Sequence, residues 1–398
     1  MSQESLFTIL MVKRIMSRLL IIFFTASTIS IHAQLDWNSY NDPGGTFYRL
    51  IVQPELSYQN TDGAIVIING LDSRLNLPVT FRAEVVKEKQ ILSVFSSQAF
   101  YYNYDNDDNP SIITTDYYFS QNLQARYFHY FSERRGFHVQ PQIILNYRVN
   151  DPNYVDRNSI GVFFGKGRME NISTLYQSLR IQKQYNASAL DPYNLNQTQL
   201  FSLADEIRRL DFNPRLDSRY RDIENQETYL ERMEQLGFNL DNYYNIANTL
   251  DAYRFERSAP QSTQGTLLQA GFQRSWFGNN AVDELVLFMQ LGRAINENWH
   301  STNSLRFQYD VNGEYEIFFQ SHFQFIPIAR TQISFLVTPI YNSVQDGRFD
   351  FFSFTDMRYF INPQLSLNGH LSIRYYNVNT DFDGRAIEFS FGVNYFII

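Results

Sequence analysis

The chain contains no cysteine, so it has no disulfide bonds and no lipoprotein acylation site. Histidine is also scarce: six residues are scattered along 398, which gives a metal site no support. Charged residues make up only 19% of the chain, and the net charge of −8 argues against nucleic acid as a partner. These absences predict a protein without a cofactor, a metal or a nucleic-acid partner.

The sequence lacks a long apolar run as well, and its N-terminal one is typical of a secretory signal peptide. Basic residues between positions 13 and 18 precede an apolar core over 19–31, and Ala33 ends an acceptable cleavage site. The core is shorter than the ~20 residues that a membrane-spanning helix needs. We therefore expect residues 1–33 to direct export and to be cleaved near Ala33, with Met11 or Met16 as an alternative start.

Tyrosine and phenylalanine are abundant, and they fall in segments whose side chains alternate between apolar and polar. The clearest two segments are Gln364–Tyr376 and Arg385–Ile398. A period of two predicts β-strands with one dry and one wet face, and both are long enough to cross a hydrocarbon layer. Twelve earlier segments follow the same pattern: Phe47–Tyr58, Arg74–Lys87, Ile91–Tyr104, Asp116–Phe131, Phe137–Asn150, Ser159–Gly165, Thr266–Phe277, Glu284–Ile295, Ser304–Asp310, Glu314–Ile326, Gln332–Asn342 and Phe349–Phe360.

The last strand carries Ser390, Gly392, Tyr395 and Ile397, spaced as polar–x–Gly–x–x–aromatic–x–hydrophobic. In this it resembles Gram-negative outer-membrane β-barrel proteins, from which it departs by one extra residue, Ile398. The resemblance implies an integral, transmembrane, antiparallel up-and-down β-barrel of about 14 strands, with 12 to 16 acceptable. It also implies contact with outer-membrane lipid and recognition of these four residues by the barrel-assembly machinery. A soluble all-β protein remains the alternative.

Loop lengths favour the barrel, because longer and shorter connections alternate. If the mature chain starts in the periplasm, the outer loops include 59–73, 105–113 and 151–158, and the inner turns include 88–90 and 132–136. Two connections run against this pattern, a long inner one over 296–303 and a tight outer one over 311–313.

A third inner connection, residues 166–260, is predicted to be a helical insertion on the periplasmic side. Apolar residues recur there with a period of about 3.6, in four groups. The groups are Ile172, Leu175, Tyr176 and Leu179; Leu200, Leu203, Ile207 and Leu210, begun by Asn196 or Thr198; a helix over 217–236 that Gly237 ends; and Ile246, Ala247, Leu250 and Tyr253. Residues 34–165 and 261–398 then form the two halves of the barrel.

The polar face of each strand supplies the candidate lumen-lining residues, in which both signs of charge occur. They are Arg49, Glu55, Arg74, Arg82, Glu84, His138, Arg148, Arg306, Asp310, Glu314, Glu316, His322, His370, Arg374 and Glu388. One interpretation is a pore whose constriction orients solutes. The other is an interior ion-pair network that holds the barrel round.

Two short motifs are predicted to be structural. His370 and Ser372 resemble the His-x-Ser of outer-membrane lipid hydrolases, but an Asn follows the Ser there and Ile373 follows it here. No orienting third group is assigned by the sequence, so we predict no enzyme. Residues 165–168, Gly-Lys-Gly-Arg, lack the spacing of a phosphate loop and are predicted to be a strand-to-helix hinge.

Two functions follow as expectations. The first is a pore or transporter for small polar solutes, gated or plugged by the helical insertion. The second is a barrel without transport function that anchors or scaffolds a cell-envelope complex, binding a periplasmic or envelope protein through residues 166–260. Docking candidates for such a partner are Arg215, Asp217, Arg219, Tyr243 and Tyr244.

Overall fold

The fold is known from a computed structural model, which describes most of the chain. The described residues are 36–41, 45–52, 55–59, 72–106, 113–131, 135–149, 157–189, 191–211, 218–256, 262–277, 280–328, 330–343, 348–362, 365–378 and 382–395. The predicted signal peptide with its cleavage site at Ala33 lies outside them.

Most of the described residues belong to one antiparallel sheet of fifteen strands. The strands are β1 Gly45–Val52, β2 Glu55–Gln59, β3 Asp72–Val86, β4 Gln90–Asn106, β5 Ile113–Tyr130, β6 Phe137–Val149, β7 Arg157–Asn171, β8 Thr263–Phe277, β9 Asn280–Ala294, β10 Trp299–Asp310, β11 Tyr315–Ile328, β12 Thr331–Asn342, β13 Arg348–Asn362, β14 Leu365–Val378 and β15 Phe382–Tyr395.

Each strand pairs with its neighbours in chain order, as in an up-and-down meander. The exception is at the start, where β1 and β2 both pair with β3 along the same edge. The fifteen strands therefore occupy fourteen positions across the sheet (15 − 1 = 14). Among the described residues no ladder joins β1 to β15, so closure of the sheet into a barrel stays a prediction.

The sheet is nevertheless strongly curved. The guanidinium of Arg168, in β7, donates to the carbonyl oxygens of Lys87 and Glu88 in the β3–β4 turn, at 3.3 and 3.1 Å. At about 4.8 Å per strand, β4 and β7 would lie roughly 14 Å apart in a flat sheet, beyond the reach of one side chain. A second such contact joins Ser262, just before β8, to Gln324 in β11, at 3.2 Å. Both contacts lie on the concave face, called the inner face below.

Several strands are longer than the alternation predicts. β7 continues to Asn171, so the predicted hinge at residues 165–168 is wrong and the helical insertion begins later than residue 166. The alternation is interrupted there because Gly167 contributes no side chain and has φ of 96°, and Gly265 on the paired strand has φ of 128°; glycine adopts such conformations readily. β10 likewise begins at Trp299, which shortens the predicted long inner connection to residues 295–298.

Longer strands also weaken the contrast in loop length. The outer connections at 60–71 and 150–156 remain long, but those at 278–279 and 379–381 are as short as the inner turns. The alternation of long and short connections therefore supports a barrel less strongly in the structure than in the sequence. The antiparallel order alone still places the connections 87–89, 131–136, 172–262, 295–298, 329–330 and 363–364 at one end of the sheet, called the short-turn end below.

Four helices lie between β7 and β8, inside the range where they were predicted: α1 Ser173–Ser188, α2 Gln197–Asp211, α3 Ser218–Gln235 and α4 Tyr243–Glu256. The Asn196 side chain accepts from the Gln199 backbone N–H, and the Gln199 side chain accepts from that of Asn196, so Asn196 rather than Thr198 begins α2. Gly237 ends α3 with φ of 99°, as predicted.

The four helices share a hydrophobic core and are called the helical bundle below. Its fully buried side chains include Ile172, Leu175, Leu203, Ile207 and Met233. Trp37 and Tyr40, from a short 3-10 helix over Trp37–Ser39 and the residue after it, pack into the same core. The predicted stripe of α4 is partly wrong, because Ala247 is exposed whereas Ala252 is buried.

Candidate functional site

The outer face of the sheet exposes apolar side chains, the reverse of the usual distribution in a water-soluble protein. Phe272 and Phe389 are each 74% exposed. Similar outward-facing residues recur on most strands: Phe81, Leu92, Phe100, Ile143, Leu145, Ile160, Val162, Phe164, Leu268, Leu285, Leu287, Phe335, Met357, Leu371, Ile373, Ile387 and Phe391. An apolar surface of this extent needs an apolar surrounding or a partner that covers it.

The inner face carries buried polar side chains instead. Gln269 Nε2, on β8, lies 3.0 Å from His138 Nε2, on β6. It also donates a short hydrogen bond to Gln140 of β6. Gln140 in turn donates to Gln142 at 3.2 Å. His138 and Gln140 are almost fully buried, and the ring of Tyr130 packs beside His138. This part of the interior is filled by a hydrogen-bonded layer.

A second inner cluster surrounds a buried carboxylate, Glu284 of β9. Its Oε2 accepts from the Ser275 hydroxyl at 2.7 Å and from Gln273 at 3.1 Å, and its Oε1 accepts from Gln308. Three donors compensate for the water that a buried carboxylate loses. The sequence did not single out Glu284, because Val286 and Phe288 share its face and blur the alternation.

A third inner cluster includes His370, which lies opposite Asp356 in the β13–β14 ladder. The Nδ1 atom of His370 is 2.6 Å from Asp356 Oδ1. Asp356 is thus the orienting group that the sequence left unassigned for His370 and Ser372. Among the described residues, however, no hydrogen bond joins His370 to Ser372, which is 5% exposed.

The other predicted lumen residues fall into three groups. Glu84, Arg148, Arg306, Glu316, His322 and Arg374 also lie on strands and on the inner face. Asp310 and Glu314 lie at the β10–β11 turn, where Asp310 Oδ1 accepts from the backbone N–H of Asn312 and of Glu314. The side chains of Arg49, Glu55, Arg74, Arg82 and Glu388 lie outside the described residues. So do those of Ser390 and Tyr395 and the whole of Ile397, whereas Gly392 pairs with Asn368.

The helical bundle contacts the sheet at its short-turn end. Lys183 Nζ of α1 is 2.7 Å from Glu297 Oε1 in the β9–β10 turn, and Arg330 in the β11–β12 turn is 2.7 Å from Asp251 of α4. Near the other edge of the sheet, Arg208 of α2 is 3.7 Å from Glu84 near the end of β3. These bridges span turns that are far apart along the sheet, so the bundle lies across the short-turn end.

Uncharged contacts reinforce this placement. The Tyr176 hydroxyl donates to the Trp299 carbonyl oxygen at 2.9 Å, and the Ser173 hydroxyl accepts from the Ser262 backbone N–H at 2.8 Å. Burial raises the pKa of the Tyr176 hydroxyl well above its usual range, so it stays a neutral donor. Arg135 in the β5–β6 turn also donates to the Tyr40 carbonyl oxygen at 3.4 Å.

The docking candidates are only partly described. Tyr243 and Tyr244, at the start of α4, are 89% and 63% exposed. Arg215, Asp217 and the side chain of Arg219 lie outside the described residues. Tyr253 belongs to the core of the bundle, where its ring stacks on that of Tyr229 at 4.6 Å.

Arg126 of β5 was also missed from the sequence, although it lies on the inner face opposite Gln142. Its signal was present: Asn122, Gln124 and Arg126 alternate with Leu123 and Ala125.

Two other features are absent from the described part of the chain. No group of three or more His, Cys, Asp or Glu is placed there to hold a metal. Within the same part, every helix is too short or too polar to cross a membrane.

Comparison with known proteins finds no family to which the chain can be assigned: no family profile matches it, and no curated protein is significantly similar.

Proposed function

We propose that the chain is an integral outer-membrane β-barrel of fourteen strand positions that conducts small polar solutes, and that the helical bundle closes its short-turn mouth. The observation that carries this proposal is the reversed distribution of side chains, apolar and exposed outside, polar and buried inside. A membrane barrel has this distribution because lipid surrounds the outer face while the interior is shielded from lipid. The sheet's strong curvature supports closure between β1 and β15.

The gating role rests on how the bundle is held. Some of the described ion pairs between the bundle and the sheet are exposed to solvent. In the Lys183–Glu297 pair, both side chains are about half-exposed. Such pairs contribute about 0.2–1 kcal/mol each, whereas the buried Tyr176 and Arg208 contacts cost more to break, so opening at the exposed pairs leaves the bundle attached to the sheet. A cap held in this way suits a reversible closure.

Because the chain has no cysteine, a cross-link can test the gate. We expect Lys183→Cys/Glu297→Cys, joined by a cleavable bis-maleimide, to conduct less in a planar bilayer than the same protein after reduction. Lys183→Cys alone, treated in the same way, is the matched control and should not change. Equal conductance before and after cleavage contradicts gating by the bundle, and a folded protein that is silent in both states contradicts the pore.

The exposed Tyr243 and Tyr244 favour a second function, a barrel that anchors an envelope complex through the bundle. Aromatic side chains with this exposure are typical centres of protein interfaces. Tyr243→Ser/Tyr244→Ser should then abolish co-purification of an envelope protein that the wild type captures from membranes, while leaving bilayer conductance unchanged. Identical co-purification by both proteins contradicts this function.

A further inference from the structure

Two glutamines interrupt the apolar outer face of the sheet. Gln98 of β4 and Gln121 of β5 lie directly opposite each other in the ladder, and Gln98 is the central residue of the seventeen in β4. Gln98 is exposed and Gln121 is half-buried. Leu92 and Phe100, which flank Gln98 on the same face, are 38% and 40% exposed. The two amides therefore lie within the apolar surface.

Neither amide has a hydrogen-bond partner among the described residues. A primary amide has two N–H donors and an oxygen that accepts two hydrogen bonds. Even if the two side chains bonded each other, each would keep a donor and an acceptor unpaired. In hydrocarbon, where no water can pair with them, such groups are strongly unfavourable. A lipid-exposed outer face thus leaves both glutamines in need of a polar partner.

Another amide of the outer face has its partner within the chain. Asn303 lies on the same face of β10 as Tyr309, which is 43% exposed, yet Asn303 itself is 3% exposed. Its Oδ1 accepts from the hydroxyl of Ser321, on β11, at 2.6 Å. The chain can therefore satisfy an outer-face amide internally, and it does not do so at Gln98 and Gln121.

The surface beside the two glutamines is also shallow. Ala83, Val94 and Ala125 lie in register across β3, β4 and β5, and Ser96 lies between this row and Gln98. Large aromatic side chains project from the outer face of β7 and β8 instead. Small residues let two membrane-embedded surfaces approach closely enough for polar groups to bond across them.

We propose that the outer face of β3, β4 and β5, centred on Gln98 and Gln121, binds a second copy of the chain within the membrane. Because an amide is both donor and acceptor, this pair is complementary to the same pair on another copy, as a two-fold symmetric interface requires. The inference rests on the proposed function, since lipid around the outer face is what deprives the amides of water. It adds a partner to the barrel: a second barrel beside it, with its own interior.

The test is cross-linking of the purified protein in phospholipid vesicles over a range of protein-to-lipid ratios. Because the chain has no cysteine, Ser96→Cys places a single thiol in the interface and keeps both glutamines. A short bis-maleimide should then join two copies. Phe272→Cys, on the outer face of β8, is the matched control and should give little product.

Replacing both amides tests whether they hold the copies together. In the Ser96→Cys protein, Gln98→Leu/Gln121→Leu removes their hydrogen bonds and suits lipid, so the barrel should still insert. We expect the association constant of the two copies to fall roughly threefold or more. Thr266→Leu, an exposed polar-to-apolar change on the outer face of β8, is the control and should leave association unchanged.

Two results in folded protein overturn the interface: no excess of cross-linked product from Ser96→Cys over Phe272→Cys, or association that the leucine pair does not weaken. The surrounding of a spin label at position 272 separates this failure from that of the membrane barrel. A label in lipid without a dimer contradicts the interface alone. A label in water contradicts the membrane barrel, and the interface with it.

Discussion

At the scale of single residues, charges in the interior are stabilised by fixed donors rather than by water. The clearest case is the buried pair of Arg168 and Glu170, whose side chains are 1% exposed and 3.0 Å apart. Arg168 also donates to two carbonyl oxygens and lies over the Tyr130 ring. Removing one partner of such a pair typically costs 3–5 kcal/mol, because the other is left charged and buried. The pair therefore stabilises the inner face of the sheet rather than offering a binding site.

A different residue, Asp205 of α2, gives a prediction about pH. Burial raises its pKa above the ordinary value of 3.8, and Glu206 adds to this, while the hydrogen bond from Tyr40 and the charge of Arg209 oppose it. The folded state thus binds the proton more tightly than the unfolded chain, so the free energy of unfolding falls as pH rises above about 3.8.

Asp205→Asn keeps the oxygen that accepts from Tyr40 at 3.3 Å and removes the partly buried charge. We expect a higher melting temperature than the wild type at pH 7, and a gain that shrinks as the pH is lowered towards 4. Thermal unfolding in detergent at both pH values measures this. Asp191→Asn removes the same charge from an exposed position and serves as the control. A variant less stable than the wild type at pH 7 would contradict the effect of burial.

At the scale of elements, alternation and helical period predicted nearly every strand and helix, since each depends on one local pattern. The misses have local causes too. The predicted end of β7 at Gly165 is too early because Gly167, with its positive φ and no side chain, interrupts the pattern. Ala247 is wrongly predicted in the core because alanine fits either environment. What the sequence could not predict are contacts between strands, such as Asp356 with His370 on the next strand, or Arg168 with the β3–β4 turn three strands away. Those depend on register and curvature, which no single segment encodes.

The start of α2 gives a prediction at this scale. Asn196→Ala removes the capping box with Gln199 and should destabilise α2 by about 1 kcal/mol. Thr198→Ala is the control, two residues along and exposed, with an expected change within about 0.5 kcal/mol. Hydrogen exchange of peptides that cover residues 197–211 measures the stability of α2 in both variants. Equal protection in the two variants would contradict the assignment of Asn196 as the N-cap.

At the scale of the whole molecule, one feature connects the sheet and the bundle. The described turns that contact the bundle all lie at the short-turn end, because every second connection of an antiparallel meander returns to that end. A chain segment inserted between β7 and β8 emerges at the same end, so it reaches these turns without crossing the sheet. The topology thus places the bundle over the short-turn end of the sheet.

The most direct test of this account is the surrounding of the outer face. In the cysteine-free protein, spin labels at Phe272→Cys and Gln273→Cys report on adjacent positions of β8 that are 74% and 5% exposed. After reconstitution into lipid, we predict that the label at 272 collides frequently with oxygen, which concentrates in lipid, and rarely with a water-soluble nickel complex. The label at 273 should collide little with oxygen. A label at 272 that meets mainly the nickel complex would show an outer face in water and contradict the membrane barrel.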